Sequence, residues 1–91
     1  LEMVKYLVEK GADINLDNGN GQTPLHNACF EGHENIAKYL IDHGVDIDKE
    51  NVFGDTPLMA ACINGNDHCI KYLVEHGADL NRENKNRETP L

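Results

Sequence analysis

The chain has 91 residues and a mass of 10.1 kDa. This excludes more than one compact domain, and as a single globule it would bury only about 60–65% of its unfolded surface. With 16 Asp and Glu against 8 Lys and Arg, the formal net charge is −8, a surface that repels phosphate and so argues against DNA, RNA and anionic membrane as partners. There is no Trp, with 3 Tyr and 2 Phe, so the core has to be aliphatic; the 40% apolar residues fall in ordered patterns, which argues against disorder.

No apolar run approaches the roughly 18–20 residues of a membrane span. Leu1 to Lys10 mixes apolar and charged residues without the cleavage pattern of a signal peptide. Cys29, Cys62 and Cys69 are odd in number and lack C-x-x-C spacing, which predicts reduced thiols and an intracellular location, cytoplasmic or nuclear.

In chain order, Leu1, Met3, Val4, Leu7 and Val8 predict an opening helix. The stretch Asp13 to Asn18 places oxygens like the start of a calcium loop. It fails at the sixth position, Asn18, and at the twelfth, Pro24, where a bidentate Glu is required. Asp46 to Asn51 fails in the same way, and turn capping by these side chains is the expected role. Thr23 predicts an N-cap and Pro24 a first helical residue. A short helix through Leu25, Ala28 and Cys29 should end at Gly32.

A second helix is predicted from near Glu34, with Ile36, Ala37, Leu40 and Ile41 on its apolar face. Lys38 lies four residues from both Glu34 and Asp42, so ion pairs are expected on the outer face. His43 falls in the last turn, where a donor suits the helix dipole, and Gly44 should stop the helix. Val45 to Asp55 is polar and turn-rich and reads as an extended hairpin. From Thr56 the same programme starts again.

The chain is internally repetitive. Thr-Pro-Leu occurs at 23–25, 56–58 and 89–91, a period of 33. Lys5-Tyr6-Leu7 returns as Lys38-Tyr39-Leu40 and Lys71-Tyr72-Leu73; Gly11, Gly44 and Gly77 align, as do Asp13, Asp46 and Asp79. A period of this length signals stacked units, each unable to bury its apolar face alone.

The residues that carry this period resemble the ankyrin-repeat family. They include Gly21-Gln22-Thr23-Pro24-Leu25-His26, Gly32-His33, Gly44-Val45-Asp46-Ile47-Asp48, Gly54-Asp55-Thr56-Pro57-Leu58 and Gly77-Ala78-Asp79-Leu80-Asn81. Departures are Met59 for the usual His, Asn66 for the His after Gly65, and Arg87 for the turn Gly. The resemblance implies an all-α fold, an α-solenoid in which each repeat is a β-turn or hairpin plus two antiparallel helices. Residues 1–17 would be a partial repeat, 18–50 and 51–83 full repeats, and 84–91 a truncated one. Such a chain reads as a segment of a longer array, or an excised or engineered piece, whose exposed ends invite head-to-tail self-association.

The resemblance also implies a non-catalytic protein-interaction module that meets a protein partner through hairpin tips and the concave face of the first helices. Carried over by position, the contact residues are Asn20, Gln22, Phe30, Glu31, His43, Val52, Phe53, Asp55, Ile63, Asn64 and His76. Gly19, Lys85, Asn86 and Glu88 extend this set. The rival role is a structural spacer. A further implied role is substrate of an asparaginyl hydroxylase at Asn15 and Asn81, each eight residues after a helix Leu, or else a structural Asn bonding the hairpin. No catalytic, cofactor or metal residues are expected. His26 belongs beside Thr23, and His33 and His68 have no partner at zinc spacing. Cys29 and Cys62 stand as small apolar fillers. No nucleophile–base pair or phosphate loop is present in the sequence.

Overall fold

A computed structural model describes residues 2–15 and 18–90. Leu1 of the opening helix, Leu16 and Asp17 of the first acidic loop, and Leu91 of the third Thr-Pro-Leu lie outside the described residues. Among the described residues five helices follow in order: α1 (Glu2–Glu9), α2 (Pro24–Glu31), α3 (Glu34–Asp42), α4 (Pro57–Ile63) and α5 (Asp67–Glu75). The pairs α2–α3 and α4–α5 are each joined by a tight turn, and α2 packs on α4 while α3 packs on α5. The result is an elongated stack of 38 × 27 × 20 Å, all-α among the described residues.

The repeated punctuation builds the repeated helices. Thr23 and Thr56 sit in extended conformation, and each hydroxyl oxygen accepts the backbone N–H three residues on, from His26 at 3.4 Å and Met59 at 3.3 Å. Pro24 and Pro57 follow at the first turn, where no N–H is missed. Gly32 closes α2 in the left-handed conformation at φ 76°. Its place also forbids bulk, since a Cβ there would come within 3.0 Å of the Asn66 side chain.

The core is a single aliphatic seam. Leu25, Leu40, Leu58 and Leu73 are each at most 1% exposed, with Ala28, Ala37, Ala61, Cys29 and Cys69 between them. Each buried Leu contributes about 1.5–3 kcal/mol of transfer free energy. α1 differs. It has no buried residue, and Leu7 is 49% exposed where its equivalents Leu40 and Leu73 are sealed. α3 and α5 each have a first helix beside them, and α1 does not among the described residues.

Two sequence expectations are corrected. The stretch from Val45 to Asp55 contains no strand: of the expected β-turn or hairpin the turn forms, closed by Gly54 N–H to Asn51 O and Asn51 N–H to Asp55 O, after a first turn at 46–49. Asn51 Oδ1 also accepts the N–H groups of Phe53 and Asp55, so a side chain does the work of a ladder. The expected pairs of Lys38 with Glu34 and Asp42 are absent from the ion pairs of the described residues. The Lys38 ammonium instead lies 5.5 Å from the Tyr72 ring of the next unit, as Lys5 lies 5.9 Å from Tyr39. Glu34 faces His68 at 3.6 Å, and Asp42 accepts the Tyr72 hydroxyl at 2.7 Å. The outer face is thus tied between units, where the sequence suggested ties within one helix.

Arg87 stands at φ 63°, the left-handed region that Gly21 and Gly54 occupy at the equivalent turns. A non-glycine residue there carries about 1–2 kcal/mol of strain.

Candidate binding surface

The surface begins at the three turns. Asn18, Asn51 and Asn84 recur with the period. Asn51 and Asn84 fold their turns through Oδ1 and then reach with Nδ2 across to the preceding unit. Asn51 Nδ2 donates to Gln22 Oε1 at 3.0 Å, and Asn84 Nδ2 donates to Asp55 Oδ1 at 2.9 Å and to Glu88 Oε1 at 2.8 Å. Main-chain bonds join the tips as well: Val52 N–H to Asn20 O at 2.8 Å, and Lys85 N–H to Phe53 O at 2.9 Å. The tips therefore form one braced edge. Sequence reasoning missed Asn51 and Asn84 in this role, although their return every 33 residues was the available signal.

His26 fixes that edge to the helices. Its Nε2–H donates to the Asp55 carbonyl at 2.8 Å, and its Nδ1 accepts from the Thr23 hydroxyl at 2.9 Å and the Thr23 N–H at 3.2 Å. These three partners require the neutral ring with its proton on Nε2. Burial pushes its pKa below the ordinary value, outweighing the pull of the Asp55 carbonyl and carboxylate. Met59, at the equivalent place, keeps the hydroxyl–backbone half of the cap and loses the ring half.

The sign of the resulting pH dependence follows from that depressed pKa. The unfolded chain binds the His26 proton below about pH 6.5, while the folded chain resists it. This contribution to stability is therefore whole above pH 6.5 and is lost as pH falls towards the lowered folded value. The expected result in urea titrations is a midpoint that declines on the acid side. A His26→Met replacement should cost about 1 kcal/mol at neutral pH and flatten the decline relative to the parent chain.

The structure exposes the apolar contact candidates. Phe30 is 40% exposed, Val52 42%, Phe53 66% and Ile63 67%. Phe53, Asp55 and Ile63 line one cleft of about 350 Å³ together with Met59, Asn86 and Glu88. One period earlier the same positions are partly filled by α4: Cys29 is fully buried, whereas Cys62 is only half-buried. Phe30 lies one helical turn beyond His26, and His26 grips Asp55, two residues from Phe53. Phe30 itself, near the C-terminal end of α2, does not line that cleft.

Other candidates have work within the fold. Asn64 Nδ2 donates to the Phe30 carbonyl at 2.8 Å, and Gln22 is held by Asn27 and Asn51. Glu31 and Asn20 are exposed. His43 and His76 cap their helices, donating from Nδ1 to Tyr39 O and Tyr72 O, and lie against the rings of those tyrosines. Neither lines the cleft.

Asn15 Oδ1 accepts the Asp46 N–H at 2.9 Å, a bond to the next unit that Asp48 repeats to the Asp79 N–H at 3.0 Å. Asn81 is exposed at the third such place. Asp13, Asp46 and Asp79 each accept the N–H two residues on, closing side-chain turns. Burial raises the pKa of Cys29 and Cys69, so these thiols are poor nucleophiles. Among the described residues, no group of three or more His, Cys, Asp or Glu is placed to hold a metal ion, and no helix is long and apolar enough to cross a membrane.

Comparison with known proteins finds two family matches. Residues 1–41 match ankyrin repeats (many copies), and residues 43–91 match ankyrin repeats (3 copies). Among curated proteins, the chain is 56% identical over 36 residues to the human (Homo sapiens) Notch-regulated ankyrin repeat-containing protein, covering 40% of this chain and 32% of that one. It is 54% identical over 37 residues to the mouse (Mus musculus) protein phosphatase 1 regulatory subunit 27, covering 41% of this chain and 24% of that one. It is 53% identical over 36 residues to the potassium channel AKT1 of Arabidopsis thaliana, covering 40% of this chain and 4% of that protein. The chain thus spans less than a third of the length of each of these relatives.

Proposed function

The chain belongs to the ankyrin-repeat family, and on that premise we propose that it is a non-catalytic module binding a protein partner through its turn tips and the adjoining face of α2 and α4. The observation that carries this reading is the placement of the two phenylalanines. A chain without Trp and with only two Phe leaves both of them at the surface, Phe30 at 40% and Phe53 at 66%. Exposed single apolars are ordinary, but here Phe53 shares a cleft with Ile63, and Phe30 stays exposed although α4 packs beside its helix. Aromatic anchors carry a large share of affinity at protein interfaces.

The edge is also acidic. Asp55 and Glu88 line the same cleft, and no Lys or Arg does. With a net charge of −8, this supports a neutral or basic partner. Three free cysteines, two of them buried, support a reducing interior compartment.

A structural spacer and a binding module respond differently to charge reversal at this edge. Glu31→Lys is made together with Asn20→Lys, both at exposed positions whose side chains brace nothing among the described residues, and partners captured on the immobilised chain are compared by mass spectrometry. A binding module loses those captured partners while its circular dichroism is kept. Full retention of every captured partner by the folded variant would refute the assignment.

A further inference from the structure

The sequence holds three Asn-Gly pairs: Asn18-Gly19, Asn20-Gly21 and Asn64-Gly65. Asn-Gly is the dipeptide most prone to spontaneous loss of the side-chain amide, because glycine offers no side chain to hinder its own nitrogen. The fold treats the three pairs differently. Asn64 Nδ2 donates to the Phe30 carbonyl at 2.8 Å, and the Gly65 N–H is tied to Cys62 O at 3.2 Å. Both the carboxamide and the nucleophile are therefore restrained. Asn18 Oδ1 accepts the Asn20 N–H at 3.0 Å, which holds that carboxamide in its turn. The Asn20 carboxamide makes no hydrogen bond among the described residues, and neither does the Gly21 N–H. Asn20 is exposed to water.

We propose that Asn20 is a site of spontaneous deamidation and isomerisation, the single labile one of the three. The Gly21 nitrogen, having given up its proton to hydroxide, attacks Asn20 Cγ. The N–Cγ bond forms, the Cγ–Nδ2 bond breaks, and ammonia leaves, giving a cyclic succinimide. Water then opens the ring at either carbonyl, yielding Asp or isoaspartate; the net change is one water consumed and one ammonia released.

Each product alters the turn edge. Asp adds a negative charge at a tip that is already acidic. Isoaspartate lengthens the main chain by a methylene where there is no slack. The Asn20 carbonyl accepts the Val52 N–H at 2.8 Å, and a Cβ on Gly21 would come within 2.7 Å of Asn51 Cα. The tip-to-tip bond between the first two turns is lost in that product, and the Val52–Phe53 tip loses its brace.

The test ages the folded chain in mildly alkaline buffer and scores it by peptide mapping with electron-transfer fragmentation. Methyl transfer by a protein-isoaspartate methyltransferase provides a second readout. The expected result is isoaspartate at residue 20 accumulating severalfold faster than at 18 or 64. In urea, Asn64 should rise to match it, because its protection comes from the fold. Asn20→Gln should abolish the signal with circular dichroism unchanged. Two outcomes overturn the proposal: equal rates at 20 and 64 in the folded chain, or no product at 20 under conditions that convert it in urea.

Discussion

Replacing Leu58 by Ala lowers the unfolding free energy by about 3 kcal/mol, within the range for emptying a sealed Leu site. Leu58 is 1% exposed and belongs to α4, the helix that touches both α2 and α5. A chain of this length has a total stability of about 5–14 kcal/mol, so one such cavity removes a large part of it. The comparison that gives the number meaning is Leu7→Ala. Leu7 occupies the equivalent second-helix place to Leu40 and Leu73 but is 49% exposed, and its truncation should cost less than about 1 kcal/mol. Urea denaturation of both variants reads the difference directly. A similar loss at both positions would mean that α1 is packed as tightly as α3 and α5, contrary to the structure.

Truncating Phe30 and Phe53 together to Ala weakens partner binding by at least about 30-fold, since buried aromatic anchors at interfaces are worth about 2 kcal/mol or more. Stability should change little, because both rings are already in contact with water and neither belongs to the aliphatic core. Binding measured by calorimetry with a captured partner, beside the urea midpoint of the same variant, separates the two effects. Unchanged affinity would remove the phenylalanines from the interface.

Much of this architecture was legible from the residues. Thr-Pro at helix starts and glycine at helix ends have local physical meanings that do not wait for tertiary structure: α2 and α4 begin at their Thr-Pro pairs, α2 is capped by Gly32, and α3 and α5 stop just before Gly44 and Gly77. The four sealed leucines were legible as well, because helical spacing and a 33-residue period place them on the same inner face. Met59, named as a departure from the usual His, has no ring nitrogen to complete the cap that His26 completes beside Thr23.

What was not legible lay between units. Lys38 was expected to pair along its own helix, yet the neighbouring Tyr72 ring takes it. Distances across a stack depend on how far one unit is displaced from the next, which no local spacing encodes. The turns were read as an extended hairpin for the same reason. Their hydrogen bonds close each turn on itself, through the backbone and the Asn51 and Asn84 side chains, and then run from tip to tip, not along paired strands. The candidate contact residues were read by position, and position alone did not show that Asn64 and Gln22 are engaged in bracing.

The reading of this chain as a binding module through one edge is tested most directly by hydrogen–deuterium exchange with and without a captured partner. The predicted footprint covers the turn residues 51–55 and the ends of α2 and α4, including Phe30 and Ile63, and leaves the outer face of α3 and α5 around Lys38 and Tyr72 unchanged. Protection confined to that outer face, with exchange at 51–55 unaltered, would contradict it.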